Sequence, residues 1–287
     1  MNPVNPASPA RPATAPPGSA APAATLAELA LAGLPLGLDI VDVHAHVGPA
    51  RGIDRPHDID AVIGLMNAIG VRQNVISGLM FATGVRLESM NDWAAEFVRA
   101  RPDRFLGYCY INPNYPEAMA AEILRCFDDL GFVGFKIHVS WNDYPYDGER
   151  YTPLYEYASD HRLPILAHTW GDESVRKLAA MARRYPDATF LAGHSGAGDV
   201  EINLEEARRT PNLYLELTYS GGTPWLVERL VREAGAERIV WGSDTILFAA
   251  SHQVGKVVFA DIPEESKALI LSGNARRIFR LEGEDQR

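Results

Sequence analysis

The chain has 287 residues, of which 47% are hydrophobic, and this size suits one large globular α/β domain. A formal net charge of −10 without a basic cluster argues against nucleic acid as a partner, because phosphate binding needs grouped Lys and Arg. The two cysteines, Cys109 and Cys126, do not have the spacing of a disulfide framework or a zinc site, which fits a reducing cytoplasm. No apolar run reaches the roughly 18 residues that a membrane helix needs. We therefore expect a cytoplasmic protein without a membrane span.

The chain begins with a segment rich in proline and alanine. Its first 23 residues contain seven prolines among Ala, Ser and Thr. Such a composition cannot bury a core, so residues 1–24 are predicted to be a disordered tail. The prolines also interrupt the apolar run of a secretory signal, which makes export the less favoured alternative. Residues 25–287 are predicted to form one domain that starts with a short helix over Leu26–Leu34.

From residue 38 onward, strand-like apolar runs alternate with helix-like amphipathic segments. Parallel strands need crossover connections, which are usually helical, so the alternation predicts a parallel sheet. Eight repeats in about 240 residues fit a (β/α)8 TIM barrel, whereas an open doubly wound sheet would want a glycine-rich phosphate turn that is missing after the first strand. The predicted strands are Ile40–Val47, Gln73–Met80, Arg104–Asn112, Val133–Val139, Pro164–Thr169, Thr189–His194, Asn212–Thr218 and Arg238–Asp244. The predicted helices are Asp58–Ile69, Met90–Ala100, Pro116–Leu130, Tyr151–His161, Asp172–Arg184, Asn203–Arg209, Pro224–Ala234 and Ser266–Phe279.

Two histidines one residue apart, His44 and His46, lie in the first predicted strand. Side chains two apart on a strand share a face, so both imidazoles are expected to point at one place. The opposite, apolar face is predicted to hold Val41, Val43 and Ala45. Neutral imidazole binds divalent transition metals, but an isolated pair is also compatible with two hydrogen-bonded core histidines. The pair therefore predicts a metal site only if other strands add ligands.

Polar side chains recur at the carboxyl ends of later strands, where the reactive groups of such barrels gather. They are Lys136, His138, His168, His194 and Asp244. Each has a structural alternative: Lys136 or His138 would hydrogen-bond a loop, His168 would be a satisfied core residue, and Asp244 would cap the next segment. Because all these alternatives would have to hold at once, the set predicts one shared metal site at the barrel mouth.

Six sequence motifs together resemble those of a known enzyme superfamily. They are VDVHAHVG at 41–48, GFKIH at 134–138, LPILAHTW at 163–170, FLAGHSG at 190–196, IVWGSDTI at 239–246 and GNARRIFRL at 273–281. The chain resembles the amidohydrolase superfamily, and within it the amidohydrolase-2 branch that also contains the aminocarboxymuconate-semialdehyde decarboxylase-like enzymes. The resemblance spans residues 38 to about 281.

The resemblance implies a site with one divalent metal ion, usually zinc. His44, His46, His168 and Asp244 are the implied ligands, with His194 beside the metal-bound water. A bound cation makes hydroxide available near neutral pH, so Asp244 is the expected proton acceptor. His194 is then expected to orient the nucleophile or to stabilise charge on the substrate.

Lys136 leaves a second metal arrangement open. Binuclear members of the superfamily carry a carboxylated lysine at the end of strand four, and Lys136 has a compatible position. A lysine in this motif also recurs in the mononuclear branch, where it would bind a substrate carboxylate or a neighbouring acid. We therefore expect one metal ion and assign Lys136 to substrate binding.

Several residues that follow the strand ends are expected to shape the pocket. They are Arg51, Trp141, Trp170, Tyr219 and Phe248. Arg51 is placed to pair with a substrate carboxylate. The aromatic residues would either sandwich a planar ring or pack between loops, and both readings stay open.

The predicted function is hydrolysis of an amide, lactone or ester-like bond in a small molecule by metal-activated water. The alternative in the same site is non-oxidative decarboxylation of an unsaturated or aromatic acid. A binding protein without catalysis is disfavoured because no implied ligand is missing. A serine hydrolase is disfavoured because Ala197 breaks the Gly-X-Ser-X-Gly pattern that begins at Gly193. Association into a homo-oligomer stays open.

Overall fold

The computed structural model describes residues 24–48, 58–79, 87–195, 197–218 and 224–281. Within these ranges, eight parallel strands lie side by side in sequence order. The strands are β1 Ile40–Val47, β2 Val71–Gly78, β3 Phe105–Tyr110, β4 Gly134–Ile137, β5 Pro164–His168, β6 Thr189–Gly193, β7 Leu213–Glu216 and β8 Ile239–Val240. The predicted (β/α)8 TIM barrel is confirmed.

Helices connect the strands and cover the outside of the barrel. In the described ranges they are α1 Leu26–Leu31, α2 Ile59–Ala68, α3 Leu87–Ala100, α4 Pro116–Leu124, α5 Val139–Asn142, α6 Thr152–His161, α7 Asp172–Arg184, α8 Val200–Arg209, α9 Leu226–Ala234, α10 Ala250–Val258, α11 Glu264–Ala268 and α12 Asn274–Ile278. Helix α7 buries Val175, Leu178 and Ala182, which recur at helical spacing on one face. Each described helix is too short or too polar to cross a bilayer.

The helices differ from the prediction mainly near the end of the chain. Helix α10 was not predicted, and the four-residue helix α5 begins at the last residue of the predicted strand Val133–Val139 and continues into a predicted loop. The predicted helix Ser266–Phe279 is divided into α11 and α12 by π-helical residues Leu269–Gly273. The predicted tail, apart from residue 24, lies outside the described residues. Cys109 and Cys126 are buried free thiols, in keeping with the expected lack of a disulfide.

Strand β1 contains a bulge that the alternating pattern did not predict. Three steps along β1, from Asp42 to Ala45, match two steps along β2. Because of the extra residue, Val41 and Val43 pack in the barrel interior below the histidines. The prediction that these valines lie opposite the histidine pair is therefore wrong, whereas Ala45 does lie in the outer core.

The eighth strand is shorter than predicted. It pairs regularly over Ile239–Val240 instead of Arg238–Asp244. The chain then leaves the extended conformation, since Asp244 has a φ of 57°, in the left-handed region. The turn still closes the barrel, because the Asp244 N–H donates to the carbonyl of His44 on β1 at 2.7 Å. This closure brings the side chains at the ends of β1 and β8 together.

Candidate metal centre

Three side chains from β1 and the segment after β8 converge at the carboxyl end of the barrel. His44, His46 and Asp244 each offer one ligand atom, and these atoms lie within 4.8 Å of one another. Oδ1 of Asp244 is 3.1 Å from Nε2 of His46 and 3.7 Å from Nε2 of His44. All three residues are buried. Two imidazole nitrogens and a carboxylate oxygen suit a divalent metal ion, and we call this group the metal triad.

The hydrogen bonds around the metal triad also fit a metal ion. Oδ1 of Asp244 is buried and has no well-aligned hydrogen bond among the described residues, although Nε2 of His46 lies 3.1 Å away, and a cation would satisfy both atoms. The Nδ1 atoms are already engaged, that of His44 with the Glu216 carboxylate at 2.9 Å and that of His46 with the Ser77 hydroxyl at 3.0 Å. Each imidazole is therefore held at Nδ1 and has its Nε2 on the side of Asp244.

Lys136 lies beside the metal triad and does not line the cavity. It is fully buried, and its Nζ donates to Nε2 of His44 at 2.7 Å. This contact shows that Nε2 of His44 acts as an acceptor that faces a positive charge. Burial lowers the pKa of Lys136 to about 8, and the charges of Asp244 and Glu216 oppose the shift. The predicted contact of Lys136 with substrate stays a prediction.

A second group of rings faces the cavity from β4 and β5. The rings of His138 and His168 stack with centroids 3.7 Å apart at 17°, and His168 is nearly parallel to Trp170 at 5.9 Å and 8°. We call these three residues the imidazole wall. His138 accepts a hydrogen bond from the Trp141 N–H at 3.3 Å, and Nδ1 of His168 lies 2.9 Å from Nε2 of His194.

The metal triad and the imidazole wall enclose one cavity of about 440 Å³. It is lined by His44, His46, His138, Ser140, Trp141, His168, Trp170, His194, Asp244, Leu247 and Phe248. Trp141 and Trp170 are 44% and 49% exposed at its edge. The volume lies in the range of small-molecule sites, and the lining combines aromatic surface with a few polar groups.

Two residues at the end of β7 belong to the site although the sequence reasoning missed them. Glu216 is fully buried, and its carboxylate accepts from the His194 N–H at 3.2 Å as well as pairing with His44. The Thr218 carbonyl lies 3.3 Å from Nδ1 of His194. The available signal was a charged residue, Glu216, at the end of an otherwise apolar strand. That strand lies between the strands of His194 and Asp244, and no site residue was predicted from it.

Burial determines the protonation of the site. It is the largest cause that lowers the pKa of each of the five histidines that line the cavity, so they are neutral, the form that binds metals. Burial opposes ionisation of Asp244, but the neighbouring His44 and His46 outweigh it and lower the pKa of that carboxyl. Burial raises the pKa of Glu216, against hydrogen bonds from Thr218 and His194.

The structure brings together most of the predicted site. Three predicted ligands form the metal triad, whereas the fourth, His168, lines the same cavity but has His194 as its partner. The predicted pocket residues Trp141, Trp170 and Phe248 line the cavity. Arg51 and Tyr219 lie outside the described residues. The individual roles assigned to these residues stay predictions.

Comparison with known proteins gives the family. The profile of the family described as amidohydrolase matches residues 41–281. A gamma-resorcylate decarboxylase from Rhizobium sp. is 27% identical over 251 residues, which cover 67% of this chain and 75% of the relative. The solved 5-carboxyvanillate decarboxylase from Sphingomonas paucimobilis has a TM-score of 0.69 and 21% identity, covering 86% of this chain and 100% of that one. A dihydroxybenzoic acid decarboxylase from Polaromonas sp. with bound manganese and the inhibitor 2-nitroresorcinol has a TM-score of 0.68 and 19% identity, covering 86% and 98%.

These comparisons correct the predicted reaction. Hydrolysis of an amide, lactone or ester was expected, but curated relatives that match most of the chain are decarboxylases. The sequence did not separate the two because the same metal ligands and proton-carrying groups serve both reactions. The family match itself covers nearly the whole described barrel. The chain therefore belongs to the amidohydrolase family of TIM-barrel enzymes.

Proposed function

We propose that the protein is a metal-dependent, non-oxidative decarboxylase of a small aromatic carboxylic acid. The observation that carries the proposal is the metal triad beside an aromatic-lined cavity in a chain whose curated relatives are decarboxylases. Trp141, Trp170 and Phe248 give the cavity flat apolar surface that suits a planar ring.

The charges of the site favour an anionic substrate. A divalent ion and the Lys136 ammonium would bring three positive charges, against two negative charges on Asp244 and Glu216. These side chains are all buried, and an excess buried charge is costly unless a partner neutralises it. The carboxylate of an aromatic acid supplies one negative charge. A neutral amide or lactone supplies no charge of its own and would rely on the hydroxide ion to offset the excess.

The proposed ion is a single divalent metal held by His44, His46 and Asp244, with His168 as the fourth ligand. Mn²⁺ and Zn²⁺ are the ions to test, the first because the related Polaromonas enzyme holds manganese and the second because imidazole and carboxylate suit it. When bound, the ion supplies positive charge that orients the substrate and stabilises negative charge on its oxygens. Carboxylation of Lys136 is not part of the proposal.

The reaction replaces a carboxylate by a proton on the ring. The carbon–carbon bond breaks, carbon dioxide leaves, and the electron pair that remains on the ring carbon takes up one proton from solvent. We assign delivery of that proton to Asp244, whose side chain lines the cavity and whose second carboxylate oxygen can carry a proton while Oδ1 faces the ion. His194 lines the same cavity and is assigned to contact the substrate.

The test is carbon dioxide release from a substrate panel by the metal-loaded protein. The panel contains γ-resorcylate, 5-carboxyvanillate and other hydroxybenzoic acids, together with amides and lactones of similar size. We expect at least one acid to lose carbon dioxide, with uptake of one proton per molecule, and 2-nitroresorcinol to inhibit. His194→Asn should abolish most of the activity, while His161→Asn, at a histidine remote from the cavity, should not.

The proposal is wrong if the metal-loaded protein leaves all of the acids intact while it cleaves an amide or a lactone. Equal activity of the His194→Asn and His161→Asn variants would place the reaction outside this cavity.

A further inference from the structure

The carboxyl end of β7 contacts histidines that come from two other strands. The Glu216 carboxylate binds the ring of His44, and the Thr218 carbonyl faces the ring of His194, which in turn pairs with His168. A carbonyl accepts hydrogen bonds and cannot donate them, and the same holds for an ionised carboxylate. We call the Glu216 carboxylate and the Thr218 carbonyl the β7 acceptors.

The first acceptor determines which nitrogen of His44 carries hydrogen. Oε1 of Glu216 accepts from the Thr218 N–H at 2.7 Å and from the Thr218 hydroxyl, and Oε2 accepts from the His194 N–H at 3.2 Å. The Lys136 ammonium donates to Nε2 of His44 at 2.7 Å, so Nε2 is the acceptor nitrogen of the neutral ring and Nδ1, 2.9 Å from Oε2, is the donor to Glu216. A neutral ring with hydrogen on Nδ1 has its lone pair on Nε2.

The second acceptor acts through a chain of two rings. Nδ1 of His194 is 3.3 Å from the Thr218 carbonyl and must donate to it, which leaves Nε2 of His194 as an acceptor in the neutral ring. That Nε2 is 2.9 Å from Nδ1 of His168, so Nδ1 of His168 must donate. The remaining lone pair of His168 is then on its Nε2. Burial lowers the pKa of both histidines, in keeping with neutral rings.

The Glu216 carboxylate and the His44 side chain are packed closely against Gly242, which follows β8. A Cβ atom on Gly242 would lie 2.5 Å from Cβ of His44 and 2.6 Å from both Oε1 of Glu216 and Oγ1 of Thr218. Any side chain at position 242 would therefore displace the carboxylate or the imidazole. The glycine of the segment after β8 thus permits the contact between β1 and β7.

We propose that the β7 acceptors fix the tautomers of His44, His168 and His194, so that each ring keeps hydrogen on Nδ1 and a lone pair on Nε2. Glu216 and Thr218 are positioning residues in this proposal, since they act through the imidazoles. Two of the three rings are proposed metal ligands, and the arrangement prepares their Nε2 atoms before any ion binds. The inference concerns the metal-free protein and does not depend on which bond the enzyme breaks.

The direct test is nuclear magnetic resonance of the metal-free protein with ¹⁵N-labelled histidine. Long-range ¹H–¹⁵N correlations distinguish protonated from unprotonated ring nitrogens, and single His→Asn variants assign the rings. We expect hydrogen on Nδ1 in His44, His168 and His194. Hydrogen on Nε2 of His44 in the wild-type protein would overturn the proposal.

The variant Glu216→Gln tests the cause. Oε1 accepts from both the N–H and the hydroxyl of Thr218, whereas the only N–H of the backbone that donates to Oε2 is that of His194, at 3.2 Å. The Gln carbonyl oxygen should therefore take the place of Oε1, and the amide NH₂ should face His44. The NH₂ donates to Nδ1, which moves the ring hydrogen of His44 to Nε2. We expect this tautomer change in the spectrum, with His46 unaffected because its partner is the Ser77 hydroxyl.

The same variant should bind Mn²⁺ about 10–100-fold more weakly in competition with a chelator, the usual effect of losing such a partner. The matched control is Glu206→Gln, a buried carboxylate on α8 that pairs with Arg183 at 2.7 Å, far from the cavity, and it should leave both tautomers and affinity unchanged. A folded Glu216→Gln variant with wild-type tautomers and wild-type Mn²⁺ affinity would contradict the proposal. Neither readout requires a substrate, so the proposed decarboxylation stands or falls separately.

Discussion

The two sides of the cavity are built from the same imidazole group but differ in their outer partners. On the side of β1 and β8, the metal triad is packed against the carboxylate of Glu216 and the ammonium of Lys136. On the side of β4 and β5, the rings of the imidazole wall stack on one another, and the ring of His138 accepts from a backbone N–H. The negative charge of a carboxylate stabilises a cation bound nearby, whereas stacked neutral rings offer flat surface for a substrate. We infer that the metal triad holds the ion, with His168 as the one ligand from the other side, and that the flat rings of His138 and Trp170 shape the place of the substrate ring.

The largest expected effect comes from removing the charge of the metal triad. Asp244→Asn keeps the shape of the side chain but loses both a metal ligand and the proposed proton carrier. We expect carbon dioxide release to fall by about four orders of magnitude or more, since metal loss costs several kcal/mol and proton transfer contributes a further factor. Metal analysis and rate measurement on the same sample check this. Near-normal rates would place the reaction elsewhere.

His194→Asn should reduce the rate while leaving the ion in place. In the proposal the His194 ring contacts the substrate and does not bind the metal. We expect the rate of carbon dioxide release to fall about a thousandfold, within the usual range for acid–base groups. Metal content per chain is the second readout. Loss of the ion together with the rate would show that His194 also takes part in metal binding.

Paired variants in the imidazole wall test whether the two sides share the ion. His168→Ala should weaken Mn²⁺ binding by about a hundredfold, which is as much as or more than the loss of an outer partner of a ligand. His138→Ala, at the ring stacked on it, should leave the affinity nearly unchanged. Chelator competition measures both. Equal affinities in the two variants would confine the site to the metal triad.

The smallest expected effect concerns Asp42, which closes the barrel beside the metal triad. Its carboxylate accepts from the N–H groups of His44 and Ser243, and burial raises its pKa to about 7. The folded protein then retains a proton that the unfolded chain loses above pH about 4, so stability falls as the pH rises from about 4 to 7. Asp42→Asn should lack this contribution.

Urea unfolding of the metal-free protein at several pH values tests the expectation for Asp42. The free energy of unfolding of Asp42→Asn, relative to wild type, should rise between pH 4.5 and 7. A constant difference would mean that the carboxyl is ionised in the folded protein throughout this range.

The sequence predicts the barrel and the metal triad because both rest on repeated local patterns. Alternating strands and helices define the barrel, and His44, His46 and Asp244 occur at strand ends in recognisable motifs. Glu216 has no such motif, since its role arises from the closed barrel that brings β7 next to β1. The bulge at Asp42 likewise depends on pairing with β2 and not on local composition.

The kind of reaction was harder to predict than the place where it occurs. The ligands that activate water for hydrolysis are also those that hold an acid for decarboxylation, so the site residues alone did not separate the two. The charge balance of Asp244, Glu216 and Lys136 favours an anionic substrate, but it became visible only once the structure placed Glu216 beside the histidines.

The most direct test that this cavity holds a metal-dependent decarboxylase is to remove the metal ion and then restore it. The protein is treated with a chelator, assayed for carbon dioxide release from the hydroxybenzoic acid panel, reloaded with Mn²⁺ or Zn²⁺ and assayed again, with metal per chain measured at each step. We expect that release stops when the ion is removed, returns with about one ion per chain, and does not return in Asp244→Asn. Release that continues after the ion is gone, or an ion-dependent cleavage of amides or lactones without any release from the acids, would contradict it.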